Sequence, residues 1–444
     1  MRAPAPNYSE MKTPPAAKAS SPAAALPLLL IILIDSMGFA MLTPLLAAEL
    51  APDSKSAIGV GLSEDARYMI YGVATGLYPM MMFFGAPILG QLSDRVGRKL
   101  MLLLCAGGIV LSYATLSAAF ALGSVVLVMI GRALGGTTAA SQPISLAALV
   151  DVSAPNKRDF WLSMGLLGSS VGFVVGPALS GLLSDSSIVS WFGTQTPLFV
   201  TVALGALNFL LLLFLYREPR AQKLSAKRPP LSLLSGLHSL AHAFQRPGLR
   251  RVSTVFLLQE MAWGAYFFFI PHFVMDRFDA TVTNASLFMA VMGIGFCISF
   301  ALAMPLLSKR FSPHAITAGS LLATGALIVV STFAPNMIAQ WLVILPISIG
   351  TAVSYGALII LFTDLSTEDT KGEIMGITAA INAFAFGAIS FIGGGLTAID
   401  ERVPLIVSFV LTFLSWVVLD FRKPKTAIAG ASDSPPRVAE PPVR

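Results

Sequence analysis

The sequence predicts an all-α integral membrane protein whose twelve transmembrane helices form two pseudo-symmetric six-helix bundles. Three observations carry that expectation. Hydrophobic residues make up 55% of the 444 and charged residues only 12%, which leaves too little polar surface to face water. The apolar stretches run for about 20 residues, enough to cross a hydrocarbon core as a helix, and lack the alternation of barrel strands. A polar stretch rich in basic residues and proline then divides them six and six.

In chain order the spans fall near 26–48, 68–92, 100–120, 124–150, 160–184 and 196–216, then near 251–275, 284–307, 314–334, 337–362, 373–398 and 402–421. The first run is too long for the core of a signal peptide and is followed by eleven others, so it reads as a retained helix despite Ala47-Ala48 behind it. Residues 1–25 and 422–444 are expected to be disordered cytoplasmic tails. Residues 217–250, with Pro229, Pro230 and Pro247, read as a cytoplasmic linker between bundles at 26–216 and 251–421.

Lys and Arg collect on the cytoplasmic side of short loops, and here they crowd the linker, from Arg217 and Arg220 to Arg250 and Arg251. On this layout Lys55, Arg67, Arg277 and Arg402 fall on the opposite side, and Arg132 lies inside a helix. Both termini are therefore expected in the cytoplasm, with the chain a multi-pass protein of the cell's inner (plasma) membrane. The net charge of +6 and pI near 9.4 follow from that asymmetry, so the bilayer and not nucleic acid is the expected partner.

Cys105 and Cys297 sit in helices of different halves, a placement that argues for packing residues over a disulfide or a metal site. The chain has four histidines and neither an H-E-x-x-H pair nor a Gly-x-Ser-x-Gly elbow. No enzyme, metal or cofactor is expected, and a monomer is. His238 and His242, four apart in the linker, read as part of a surface amphipathic helix.

The halves repeat. Asp151-Val152-Ser153 with Arg158 after the fourth helix is matched by Asp364-Leu365-Ser366 with Lys371 after the tenth. Asp35 in the first helix and Glu260 in the seventh stand at similar depths, each before a proline, Pro44 or Pro271. Transporters commonly hold substrate where such repeats meet.

The most specific signal lies between the second and third helices: Gly90-Gln91-Leu92-Ser93-Asp94-Arg95-Val96-Gly97-Arg98-Lys99. Gly90 and Gly97 would permit close backbone approach, Asp94 would face a neighbouring helix N-terminus, and the basic residues would stay in the headgroup zone. The segment matches every fixed position of the G-x-L-x-D-R-x-G-R-K/R signature of the major facilitator superfamily, which this chain therefore resembles. That resemblance implies secondary active transport. It also implies a cytoplasmic gate in which the Asp94 loop docks against the inner ends of helices eleven and four, Asp151 accepting from Arg95 or Arg98 while the protein faces outward. The second half carries only Ser308-Lys309-Arg310-Phe311, so the latch is expected to be asymmetric.

Arg132 to Gly136 is similar to the R-x-x-x-G pattern of drug/proton antiporters. Gly172, Gly176-Pro177 and Gly181 resemble the antiporter G-x-x-x-G-P-x-x-G-G signature, with Ser180 in place of one glycine; tight helix packing alone would also explain the stripe. Asp35 to Phe39, Pro44 and Tyr71-Gly72 look most like the tetracycline-efflux branch of the twelve-helix antiporters. These resemblances imply proton-coupled efflux of a small amphipathic organic solute. Proton symport for uptake of a metabolite or siderophore is the alternative.

An ionisable group near the bilayer centre costs about 2.5–3.5 kcal/mol to insert, so Asp35, Glu260 and Arg132 become candidates for proton coupling. In the family resembled, helices one, four and seven line the central cavity. Asp35 or Glu260 would hold the coupling proton and release it when Arg132 or solvent approaches. A permanent Asp35–Arg132 pair holding two helices in register is the structural alternative. Gln142, Asn208, Gln259, Trp263, Tyr266, Tyr355 and Asn382 are candidates for the substrate cavity; their mix of apolar and amide chemistry suits an amphipathic solute, although Trp263, Tyr266 and Phe267 to Phe269 could instead face lipid. His272 and Asp276, four apart, are placed at the outer interface.

Overall fold

Several helices begin at a side-chain cap, and two end at a glycine. The structure, a computed structural model, describes residues 22–51, 58, 60–218, 234–366 and 370–420. Most of the two expected tails and residues 219–233 of the expected linker lie outside these described residues.

The first bundle holds α1 (Pro22–Glu49), α2 (Glu64–Val96), α3 (Arg98–Leu122), α4 (Val125–Thr137), α5 (Ser141–Val152), α6 (Arg158–Ser184) and α7 (Thr196–Leu215). A short helix, α8 (Ser235–Gln245), precedes the second bundle. That bundle comprises α9 (Pro247–Phe278), α10 (Val282–Ile298), α11 (Met304–Ser308), α12 (Pro313–Thr332), α13 (Met337–Asp364), α14 (Lys371–Thr397) and α15 (Val403–Asp420). Ser63, Ser124, Thr281, Ser312 and Asn336 each accept from a backbone N–H three residues on, the side-chain capping that satisfies an exposed first turn. Gly97 closes α2 at φ 106° and Gly123 closes α3 at φ 64°, conformations that glycine adopts without strain.

Eleven helices among the described residues are long and apolar enough to cross a membrane. The twelfth span is the broken pair α4 and α5. Pro143 has no N–H for the Ala139 carbonyl, and its ring crowds the preceding turn; Thr138 turns its hydroxyl back onto the Leu134 carbonyl at 2.9 Å instead. The expected continuous helix over 124–150 is thus interrupted. A π-turn at Ser299–Ala303 joins α10 to α11 just before Pro305 and widens that helix for the same reason.

The helices therefore form two six-span bundles with matching internal contacts. In the first, α1 packs on α6 and α7, α3 on α4 and α7, and α2 on α4; in the second, α9 packs on α14 and α15, α12 on α13 and α15, and α10 on α13. The halves meet along α2 with α14 and α6 with α10, two contacts that the same pseudo-two-fold exchanges.

Candidate functional site

The site is built where α1, α2, α4 and α5 converge. Proline first prepares it. Pro79 has no N–H, so the Thr75 carbonyl one turn earlier loses its helical partner. Arg132 of α4 takes it: Nη2 donates to the Thr75 carbonyl at 3.2 Å and Nε to that of Ala74 at 2.7 Å. Arg132 is 3% exposed, and its guanidinium also lies 4.9 Å from the centroid of the Tyr78 ring, a cation–π distance. The Tyr78 hydroxyl donates to Asp35 at 3.0 Å, and Ser141, at the start of α5, donates to the other carboxylate oxygen at 2.5 Å.

Arg132 and Asp35 form no ion pair with each other among the described residues. The expected direct approach is replaced by a relay through Tyr78, because the arginine is held by two α2 carbonyls, one of which, that of Thr75, Pro79 frees. Sequence reasoning missed Tyr78 and Ser141. Tyr71, Thr75 and Tyr78 recur at i, i+4 and i+7 in an apolar helix, which is the signal that marks a polar face.

Glu260 of α9 is 2% exposed and accepts from the Asn382 amide on α14, so these two candidates are brought together. Gln259 donates to the Thr351 carbonyl at 3.4 Å, and Tyr266 shares a hydrogen bond with Ser331 at 3.0 Å. Trp263 and Tyr266 stack 6.0 Å apart and are buried; they do not face lipid. Tyr355 lies against Phe256, and Gln142 is half-buried beside Ser141. Asn208 is buried in α7 with neither amide atom partnered among the described residues.

Between the two carboxylates runs an aromatic seam. Phe39, one turn after Asp35, lies 5.9 Å from Phe267 with its ring parallel to it, 6.1 Å from Phe173 and 5.4 Å from Tyr78. Phe386 of α14 packs on Phe267 and Phe268. A cavity beside Gln259 and Trp263 measures about 10 Å³, the size of a water molecule rather than of a solute.

Glycine sets how closely the helices approach. A Cβ on Gly172 or Gly176 of α6 would stand 2.7 or 2.2 Å from the carbonyls of Leu33 or Met37, and one on Gly181 would stand 3.0 Å from Ser286 of α10. The antiporter-like stripe thus seats α1, the helix of Asp35, and then reaches α10. Pro177 frees the Phe173 carbonyl, and Gly293 of α10 closes over it.

At one end of the molecule, called here the Gly72 end, the halves touch backbone to backbone. A Cβ on Gly72 would stand 2.7 Å from Gly394, and one on Gly76 would stand 2.9 Å from the Gly387 carbonyl. Thr75 and Ser390 hydrogen-bond across the contact at 2.6 Å. His272 and Asp276 do meet, at 3.1 Å, and Tyr68 of α2 donates to Asp276 at 3.4 Å.

At the opposite, Asp94 end, Arg98 reaches Asp151 at 3.1 Å and Asp94 at 2.7 Å, so of the two donors named for Asp151 it is Arg98 that meets it. Among the described residues its side-chain partners, Ser93, Asp94 and Asp151, all belong to the first bundle. The N-terminus of α3 is taken by Glu218, whose carboxylate accepts from Arg98 N at 2.9 Å and Lys99 N at 2.6 Å; a carboxylate there is favoured by the helix dipole. Gly97 needs its positive φ, whereas a Cβ on Gly90 would meet only open space, so close backbone approach does not explain Gly90. Arg95 extends the basic end of α2.

A family model described as Major Facilitator Superfamily matches residues 28–394. The chain is 29% identical to the class H tetracycline resistance protein of Pasteurella multocida over 60% of this chain and 62% of that protein. It is 27% identical to the class E tetracycline resistance protein of Escherichia coli over 80% of this chain and 82% of that one. The solved structure of the human organic anion transporter MFSD10 (TETRAN) superposes with a TM-score of 0.66 at 19% identity, covering 92% of this chain and all of that one.

Proposed function

The chain belongs to the major facilitator superfamily, and from that premise we propose that it exports a small amphipathic organic solute in exchange for protons, by alternating access around Asp35 and Glu260. The observation that carries the reading is the setting of Asp35. Two hydroxyls hold its carboxylate and no cation stands within ion-pair distance among the described residues. Such a group takes up a proton without first breaking a salt bridge, and a solute bearing a hydrogen-bond donor competes for the same oxygens. Phe39 places an aromatic wall one turn away, which suits the apolar part of the solute. Glu260 and Asn382 supply the counterpart in the second bundle.

The direction of transport draws on the relatives, several of which are named as tetracycline resistance proteins. The distribution of Lys and Arg supports placing the Asp94 end and both termini in the cytoplasm of a cell whose inner membrane holds the protein. In that orientation the sealed Gly72 end faces outside. Each charge crossing 100 mV is worth about 2.3 kcal/mol, so inward proton movement can drive export.

A thermal-shift screen of purified protein against an antibiotic and metabolite panel at two pH values identifies the solute through ligand stabilisation. Proteoliposomes then set the direction. Solute moving against the imposed proton gradient supports exchange, and solute moving with the protons overturns it in favour of uptake.

A further inference from the structure

We infer that α8 is a wedge seated between the two bundles at their Asp94 end, and that its first turn must leave α2 before that end can close. The inference rests on the two-bundle transporter reading but not on the solute or on which carboxylate carries the proton.

Three attachments define the seat. At the start of α8, the Gly236 backbone lies so close to the Phe83 carbonyl of α2 that an added Cβ would stand 2.7 Å from it. Pro87, four residues on, offers that carbonyl no N–H, so α2 presents an open acceptor where α8 arrives. In the middle, Leu240 packs into a cluster that joins Phe83 of α2 to Ala380 and Ala383 of α14. At the far end, Ala243 is fully buried, and Arg246 and His242 reach Glu373 of α14 at 3.0 and 3.3 Å.

The attachments fall on different bodies. The first turn is on the first bundle, the last is on the second, and the middle touches both. Between Gly72 and Phe83, α2 packs directly on α14; from Phe83 onward α8 stands with them. Movement that opens the Gly72 end swings the Asp94 end of α2 toward α14, into the volume that Gly236 and Leu240 occupy. The Glu373 clasp can keep the far end on the second bundle meanwhile, so α8 pivots instead of detaching. The same residues therefore set how readily the transporter turns outward.

The test needs no substrate. Ser390, buried under Thr75 at the Gly72 end, becomes a reporter as Ser390→Cys, in protein reconstituted after Cys105→Ala and Cys297→Ala. Its labelling from outside by a membrane-impermeant maleimide reads opening of that end. Pinning α8 to α2 through an oxidised Leu240→Cys, Phe84→Cys pair is expected to suppress labelling at least about tenfold, with reductant restoring it; the converse change, Gly236→Leu, is expected to raise labelling about fivefold by crowding the first turn off α2. Pinning α8 to α14 alone, through His242→Cys and Glu373→Cys, is expected to leave labelling within about twofold. Unchanged labelling in both the α2-pinned and the Gly236→Leu proteins overturns the wedge, whether or not the protein moves protons.

Discussion

Arg132 stands 4.9 Å over the ring of Tyr78, and the hydroxyl of that ring, not the guanidinium, is what reaches Asp35. A buried cation and a buried carboxylate are thus coupled through the ring face and the hydroxyl of one tyrosine. Pairing them directly would hold Asp35 charged; the intervening ring leaves the carboxylate responsive to a proton while still orienting it.

Tyr78→Phe keeps the ring under Arg132 and removes the donor. A hydrogen bond to a charged group is worth about 1.5–3 kcal/mol, so proton-driven transport is expected to fall about tenfold or more, with the pH profile displaced and the melting temperature little changed. A variant with wild-type rate and pH profile shows that the hydroxyl does not position Asp35.

Arg132→Lys tests whether the guanidinium is a positioning group with a structural share. A lysine cannot serve both α2 carbonyls and lie flat on the ring. Loss of these contacts is expected to cost about 1–3 kcal/mol and lower the melting temperature in detergent by several degrees. An unchanged melt together with unchanged transport shows that Arg132 neither positions Tyr78 nor braces α2.

Gly72→Leu places a side chain where Gly394 leaves no room. The Gly72 end should then fail to close, which is read as constant labelling of a Ser390→Cys reporter by an external maleimide and as loss of turnover. Normal turnover shows that sealing occurs elsewhere.

The two glycines of the Asp94 loop should part company. Gly97→Ala forces a Cβ onto a residue at φ 106°, a strain of about 1–3 kcal/mol, while Gly90→Ala meets open space and should be neutral in the same thermal melt. Equal effects contradict the assignment of backbone conformation here.

Most of the fold was legible because bilayer thickness fixes span length and charge fixes loops. What escaped were local departures from helix geometry. Pro143 split the fourth span, and Pro79 bared the Thr75 carbonyl, one of the two that capture Arg132, so depth alone, which pairs Asp35 with Arg132, overlooked the competing acceptors on α2. The loop motif named Arg98 and Asp151, but not Glu218, which lies just past α7 and holds the N-terminus of α3; contacts distant in sequence leave no local trace. Gly172 and Gly176 were readable as a packing stripe, though not that α1 is what they seat.

Whether Asp35 carries the coupling proton is decided by solute flux under a pH gradient in proteoliposomes containing Asp35→Asn, using the compound that stabilises the protein. Asparagine keeps the size and one carbonyl acceptor but cannot bind or release the proton. Folded protein that still binds the compound yet loses gradient-driven transport is the expected outcome. Gradient-driven transport at the wild-type rate by that variant would take the coupling proton away from Asp35.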